Sequence, residues 1–180
     1  GEIDRNEQIR SFVNEIDWDC DLHTWFREET VNIYESLYGA ISWLFDNEEQ
    51  GIILEEDCKA SLAFFDYCDK LLNRYHDDYR IWMISGDNYF ENKHFSQYDY
   101  FFSQDMQIYG WASWKNRWNQ VNWNDGLNID VALNNRVTYT SFRTHLMKRL
   151  YSKLLVRRKE FIMKTKCWDY SFTITGLLNN

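Results

Sequence analysis

Three consecutive carboxylates, Glu55, Glu56 and Asp57, directly follow the apolar residues 52–54 in a chain of 180 residues. Like charges held this close repel one another and lose hydration as a site closes, so their proximity is costly. A divalent cation offsets that cost. Mg²⁺ or Mn²⁺ takes one or two protein carboxylates and fills its remaining positions with phosphate and water. This acidic triplet therefore indicates a metal site for a phosphate-bearing substrate, with a solvated acidic turn as the alternative.

The elements that position the acidic triplet follow from the spacing of apolar residues. Steps of three and four residues predict helices over 31–45 and 61–75, and the apolar run at 52–54 predicts a buried strand. A second short strand over 81–84 ends in a turn at 85–88. This alternation favours an α/β domain with parallel strands, in which ligands bind at the carboxyl ends of the strands.

Weaker patterns predict the remaining elements. They are, in chain order, a helix over 3–16, a short strand over 20–26, a strand over 98–102, a helix opening at 111–118, a turn at 124–126, a long basic helix over 142–163 and a helical or irregular end over 168–178. At this length we expect the whole chain, 1–180, to form a single domain.

Composition indicates the class of protein. The chain is 44% hydrophobic and 27% charged, which is typical of soluble globular proteins, and it has no apolar run near the roughly 20 residues of a membrane span. The first residues lack a signal-peptide pattern, so we expect a cytoplasmic location. The net charge of −8 disfavours nucleic acid as a partner. The four cysteines lack zinc-ligand spacing and are expected to be buried free thiols.

Positive charge collects late in the chain. Residues 143–166 contain nine lysines and arginines and a single acidic residue, Glu160. The ordinary interpretation of this basic segment is a solvated helix face. The alternatives are a phosphate-binding role, an acceptor-binding role or peripheral association with a membrane surface.

A set of ordered motifs surrounds the acidic triplet. The sequence reads ILEEDC at 53–58, FFDYC at 64–68, SGDN at 85–88 and YGWASW at 109–114. These segments resemble the ILEDDC-like, FF-x-(F/Y)-C, SG-x-N and WGWATW-like motifs of a bacterial group of GT-A glycosyltransferases, the nucleotide-diphospho-sugar transferase-like proteins. The upstream IDWDCDLHTWFREETVN and the later WDY are also similar to segments of that group.

The resemblance implies a GT-A-like, Rossmann-like mixed sheet flanked by helices. It also implies a metal-dependent enzyme of polysaccharide biosynthesis that moves a sugar from a nucleoside diphosphate sugar to a saccharide or other hydroxyl acceptor, with Mn²⁺ or Mg²⁺ as cofactor. Asp57 would be the metal ligand and Asp169 the base that takes the acceptor proton. The residues implied to bind the sugar nucleotide are Arg27, Glu55, Glu56, Gly86, Asn88 and Trp111.

Each implied role has a structural alternative. Turn geometry explains Gly86 and Asn88, core packing explains Trp111, and helix capping explains Asp169. The sequence also departs from the group, because Glu56 replaces an Asp and residues 30–32 read Thr-Val-Asn where Asn-Leu-Gly is usual.

The resemblance further implies that the chain is incomplete at both ends. The first nucleotide-binding strand and a C-terminal segment of the group are not recognisable in it. A non-catalytic carbohydrate- or nucleotide-binding module, or an interaction domain derived from such an enzyme, is therefore the alternative to an active transferase.

Overall fold

The computed structural model describes residues 2–88, 97–123, 153 and 168–179. The chain divides into two compact units. The N-terminal unit is Gly1–Asn32 and the C-terminal unit is Ile33–Asn180. That all of 1–180 belongs to one glycosyltransferase-like domain stays a prediction.

The N-terminal unit is built on one helix. Helix α1, Glu2–Ser11, continues into a 3₁₀ helix over Phe12–Glu15, close to the helix predicted at 3–16. The strand predicted at 20–26 is wrong, since this segment has no regular secondary structure. Its aromatic side chains pack on arginines of the same unit rather than in a sheet: Trp25 contacts Arg27 and Phe26 contacts Arg10.

Three short strands form the sheet of the C-terminal unit. They are β1, Gln50–Ile53, β2, Ile84–Ser85, and β3, Trp111–Trp114, in the order β1-β3-β2. Strand β3 pairs antiparallel with both neighbours. The predicted parallel pairing is therefore wrong for the strands that the structure describes. The reason is that β1 and β2 run in the same direction, as expected, but β3 lies between them and runs the opposite way.

Helices pack on both faces of this sheet. Those described are α2, Ile33–Asn47, α3, Leu62–Tyr75, α4, Lys115–Trp118, and α5, Trp168–Leu178. Ala112 and Trp114 of β3 pack with the buried residues of α3, whereas Trp111 packs with those of α2 and α5. Because alternate residues of a strand point to opposite faces, β3 contributes to both cores and all four of its residues are buried. The described fold is mixed α/β.

The structure confirms the strongest helix predictions and corrects two weaker ones. Helices α2 and α3 match the predictions at 31–45 and 61–75, and α5 matches the predicted helical end. Residues 98–102 form no strand, and the hydroxyl of Tyr100 instead lies 2.7 Å from that of Tyr75. The helix expected from 111 begins only at Lys115, because the preceding residues form β3.

Arg117 of α4 is a buried structural cation, fully shielded from solvent. Its guanidinium donates hydrogen bonds to the backbone oxygens of Tyr75, His76, Asp78 and Ile81 and to the side chain of Asn116. It also stacks on the ring of Trp114, 4.3 Å from the ring centroid. Burial lowers the pKa of Arg117. These bonds fix the loop between α3 and β2.

Two further predictions concern the basic segment and the cysteines. The turn at 124–126 and the basic helix at 142–163 lie outside the described residues except for Lys153, which is helical. None of the described helices is long and apolar enough to cross a membrane. Of the cysteines described, Cys68 is buried as predicted and Cys58 is half-buried. The prediction is wrong for Cys20, which is exposed because it lies in a segment without regular secondary structure.

Candidate functional site

Both strands that precede the predicted site segments end at the same edge of the sheet. Trp111, the first residue of β3, pairs in register with Ile53 at the end of β1 and with Ser85 at the end of β2. The acidic triplet follows β1 and the turn at 86–88 follows β2. Both segments therefore leave the sheet beside the start of β3, at a place we call the sheet edge.

Two glycines bring the loops of the sheet edge into close contact. The Gly86 N–H donates a hydrogen bond to the Gly110 carbonyl over 2.9 Å. A Cβ atom on Gly86 would lie 2.6 Å from the ring of Phe64, and Gly110 has a φ of +84°, which side-chain-bearing residues rarely adopt. The Asp87 carboxylate accepts the Tyr109 N–H over 3.1 Å. The turn after β2 is thus locked against the start of β3.

The acidic triplet combines a half-buried carboxylate with two exposed ones. Glu55 is half-buried, whereas Glu56 and Asp57 are exposed. Burial is the main cause that raises the pKa of Glu55, and the charges of Glu56, Asp57 and Asp169 raise it further. Asp57 accepts a long hydrogen bond, 3.9 Å, from the thiol of Cys58. Negative charge is therefore concentrated on this side of the sheet edge.

Asp169 approaches the triplet from the first turn of α5. Its half-buried carboxyl group has a raised pKa because burial outweighs the hydrogen bonds from the backbone N–H groups of Tyr170 and of Asp169 itself. Its charge is felt at Glu55, where it contributes to the raised pKa. Trp168, the residue before Asp169, stacks on Trp111 at the start of β3, so the first turn of α5 lies beside the sheet edge although 114 positions separate Asp169 from Glu55.

Trp111 and Arg27 are placed differently from the rest of the predicted set. The Trp111 side chain is completely buried and stacks on Trp168, which is the core-packing alternative. Both faces of the Trp111 indole are covered by protein, so the ring supports the sheet edge as part of the core. Arg27 belongs to the N-terminal unit, where its guanidinium carbon lies 4.2 Å from the ring centroid of Trp25. Asn88 is exposed at the end of the turn after β2.

The oxygen-only ligand set at the sheet edge fits Mn²⁺ or Mg²⁺. Among the described parts of the chain, no three His, Cys, Asp or Glu side chains are grouped as metal ligands. These ions need only one or two protein carboxylates when substrate phosphate and water complete the shell. The exposed carboxylate of Asp57 can supply one. Burial is the main cause of the raised Glu55 pKa, and a bound cation would relieve the further contribution of the neighbouring carboxylates.

Three residues that support the sheet edge lie within the FFDYC, SGDN and WDY motifs, but the motifs alone do not reveal their contacts. Asp87 ties the two loops together, Phe64 fills the space beneath Gly86, and Trp168 packs behind Asp169. Asp87 lies within the SGDN motif, where an Asp in a turn is a usable signal. Phe64 and Trp168 look like ordinary core residues until the fold brings their partners to them.

No protein-family model, no curated protein and no solved structure matches the chain. What the sheet edge does must therefore be inferred from its own geometry and from the motifs that surround it.

Proposed function

We propose that the chain is the metal- and donor-binding part of a GT-A-type glycosyltransferase, which moves a sugar from a nucleoside diphosphate sugar to a hydroxyl acceptor. One observation carries the proposal: the acidic triplet and the turn at 86–88 leave the sheet at the same edge, and Trp168, directly before Asp169, stacks on Trp111 at that edge. Carboxylates beside a glycine-permitted backbone turn suit a ligand that combines metal, diphosphate and sugar.

The acidic triplet and the turn after β2 bind the sugar nucleotide in this proposal. Asp57 contributes the metal ligand because its carboxylate is exposed, and Glu55 and Glu56 contact the sugar or ribose hydroxyls. The backbone at Gly86 and the amide of Asn88 contact the same ligand. Bound Mn²⁺ or Mg²⁺ would supply Lewis-acid assistance to the departing nucleoside diphosphate.

Asp169 takes the proton of the acceptor hydroxyl. As the acceptor oxygen bonds to the anomeric carbon, the bond from that carbon to the diphosphate breaks, and the proton moves to the Asp169 carboxylate. Burial favours this role, because a carboxyl group with a raised pKa is a stronger base than an exposed aspartate. The first turn of α5 holds the carboxylate in place, because the carboxylate accepts hydrogen bonds from the backbone N–H groups of Asp169 and Tyr170.

The acceptor and the compartment belong to the same proposal. The acceptor is a saccharide or another hydroxyl compound, and the basic segment 143–166 binds it or an anionic membrane surface. The enzyme then acts in the cytoplasm, where nucleoside diphosphate sugars serve as its substrates. Nucleic acid is not among its partners, because the net charge of −8 opposes phosphate backbones.

Thermal unfolding with a panel of nucleoside diphosphate sugars, with and without Mn²⁺, tests the site. At about 100 times the dissociation constant, a sugar nucleotide stabilises the folded state by about 2.7 kcal/mol, or roughly 5–10 °C in Tm. We expect this shift only with metal and not in Asp57→Asn. Asp66→Asn is the matched control, because Asp66 is an exposed aspartate on α3 outside the acidic triplet. No shift with any sugar nucleotide, or an equal shift in Asp57→Asn, would refute the proposed site.

A further inference from the structure

The N-terminal unit contains a cleft of about 220 Å³. Its lining residues are Asn6, Ile9, Arg10, Trp25, Phe26 and Arg27. The first three lie on one face of α1, because positions i, i+3 and i+4 of a helix are neighbours. The last three belong to the irregular segment that follows the 3₁₀ helix. The cleft is thus the groove between a helix face and an extended segment of the same unit.

Two arginines are held in this cleft by aromatic rings. The guanidinium carbon of Arg10 lies 5.2 Å from the ring centroid of Phe26, and that of Arg27 lies 4.2 Å from the centroid of Trp25. Arg10 also donates a hydrogen bond from Nη2 to the Arg27 backbone oxygen over 3.0 Å. That bond uses one of the five N–H donors of the Arg10 guanidinium. These contacts orient both arginine side chains before any ligand binds, which lowers the entropic cost of binding.

The charge around the cleft is unusual for this unit. Residues 1–32 contain nine acidic residues and three arginines, and two of those arginines line this cleft. None of the six lining residues is acidic. Two like charges on one small cleft favour an anion with at least two charged oxygens. Planar guanidinium groups match phosphate oxygens, and the aromatic and Ile9 walls tolerate an uncharged group attached to the phosphate.

From this geometry we infer that the cleft binds a diphosphate group, with Arg10 and Arg27 as its cationic ligands. The inference goes beyond the proposed function, because it assigns an anion site to the N-terminal unit from the contacts of that unit alone. It requires neither a metal ion nor turnover. Arg27 is among the residues that the resemblance implies bind a sugar nucleotide, whereas the role of Arg10 and the cleft itself follow from the structure.

Calorimetric titration of the full chain with pyrophosphate and with uridine diphosphate, both in EDTA, tests the inference. We expect saturable 1:1 binding of both probes, weakened at least about tenfold in Arg10→Gln. Arg5→Gln removes the same charge from α1 outside the cleft and should change affinity less than about twofold. Tighter binding of uridine diphosphate identifies a nucleotide as the source of the diphosphate, and equal binding identifies the diphosphate alone.

A second pair of variants decides the case in which Arg10→Gln disturbs the fold. Ile9→Glu and Gln8→Glu each add one carboxylate to α1, but only Ile9 lines the cleft. Ile9 is 62% exposed, so the fold tolerates the change. We expect Ile9→Glu to abolish pyrophosphate binding and Gln8→Glu to retain it. No binding by the wild type, or equal losses in Ile9→Glu and Gln8→Glu, would overturn the inference.

The same titration separates this inference from the proposed function. In Asp57→Asn, pyrophosphate binding in EDTA should be unchanged, whereas the metal-dependent shift with sugar nucleotides should be lost. If Asp57→Asn loses only the metal-dependent shift, the cleft still binds pyrophosphate and the transferase site has been removed. Loss of pyrophosphate binding in Asp57→Asn would overturn the assignment to the cleft.

Discussion

The indole of Trp111 stacks on that of Trp168, with ring centroids 5.4 Å apart and planes inclined by 17°. Trp111 is the first residue of β3 at the sheet edge, and Trp168 is the first residue of α5, directly before Asp169. Both indoles are buried. The stack therefore sets where α5 begins relative to the sheet, and so it brings Asp169 close to Glu55.

Replacing Trp168 tests how much this stack stabilises the C-terminal unit. We expect Trp168→Leu to lower the free energy of unfolding by about 2–4 kcal/mol, because it removes a large buried ring and leaves a cavity. Urea unfolding followed by circular dichroism measures the loss. Trp18→Leu is the matched control, since Trp18 is 64% exposed and its replacement should cost under about 0.5 kcal/mol. Equal effects of the two changes would mean that the stack does not support α5.

Glu55 is expected to destabilise the metal-free fold at neutral pH. Its folded-state pKa is raised above the ordinary 4.5, so the folded state binds the proton more tightly than the unfolded state. Stability therefore falls as the pH rises through that raised pKa. We expect Glu55→Gln to increase Tm at pH 7.5 without metal, and the gain to disappear below about pH 4.5.

The same melting curves provide a control for the Glu55→Gln prediction and the result that would contradict it. Glu7→Gln changes an exposed glutamate of α1 and should leave Tm within about 1 °C at both pH values. Mn²⁺ together with a sugar nucleotide should stabilise the wild type more than Glu55→Gln. A lower Tm for Glu55→Gln at pH 7.5 would show that the ionised carboxylate is favourably paired in the fold.

Arg117→Met should be among the most destabilising single changes in the described chain. It would remove a fully buried guanidinium and leave four backbone oxygens without their donor, for a loss of about 3–5 kcal/mol. Arg80→Met is the matched control, because the Arg80 side chain is 83% exposed and pairs with Asp78 at the surface. Chemical denaturation of both variants measures the difference, and losses of similar size would contradict the structural role of Arg117.

The helices around the site could be predicted from sequence because their signal is local. In α2 and α3 the apolar residues repeat at helical spacing, and Ser61 precedes α3 as a residue typical of an N-cap. The direction of β1 and β2 also followed from the alternation of helices and strands. Their common direction is what brings the acidic triplet and the turn at 86–88 to one edge.

Strand β3 could not be predicted in this way. Its four residues, 111–114, carry no alternation of polar and apolar side chains, since all are buried between two strands and two layers of helices. The sequence of a strand buried on every side does not reveal its pairing. The same burial makes Trp111 a core residue, although its motif suggested a sugar-binding surface.

No local sequence pattern predicts that Asp169 lies near Glu55. No periodicity connects residues that far apart, and only the resemblance singled out Asp169 as a base. The distance is closed by packing, chiefly of Trp168 against Trp111, which is a tertiary interaction. The cleft of the N-terminal unit was equally hidden, because the segment at 20–26 was expected to be a strand rather than a partner for α1.

The most direct test of the proposed activity is the release of nucleoside diphosphate from a panel of sugar nucleotides, with Mn²⁺ and a mixture of saccharide acceptors. We expect acceptor-dependent release by the wild type. Asp57→Asn should lose both release and metal-dependent binding, whereas Asp169→Asn should lose release but retain binding. Asp66→Asn should behave like the wild type. Binding of a sugar nucleotide by the wild type without any release would contradict the transferase and indicate a non-catalytic binding module instead.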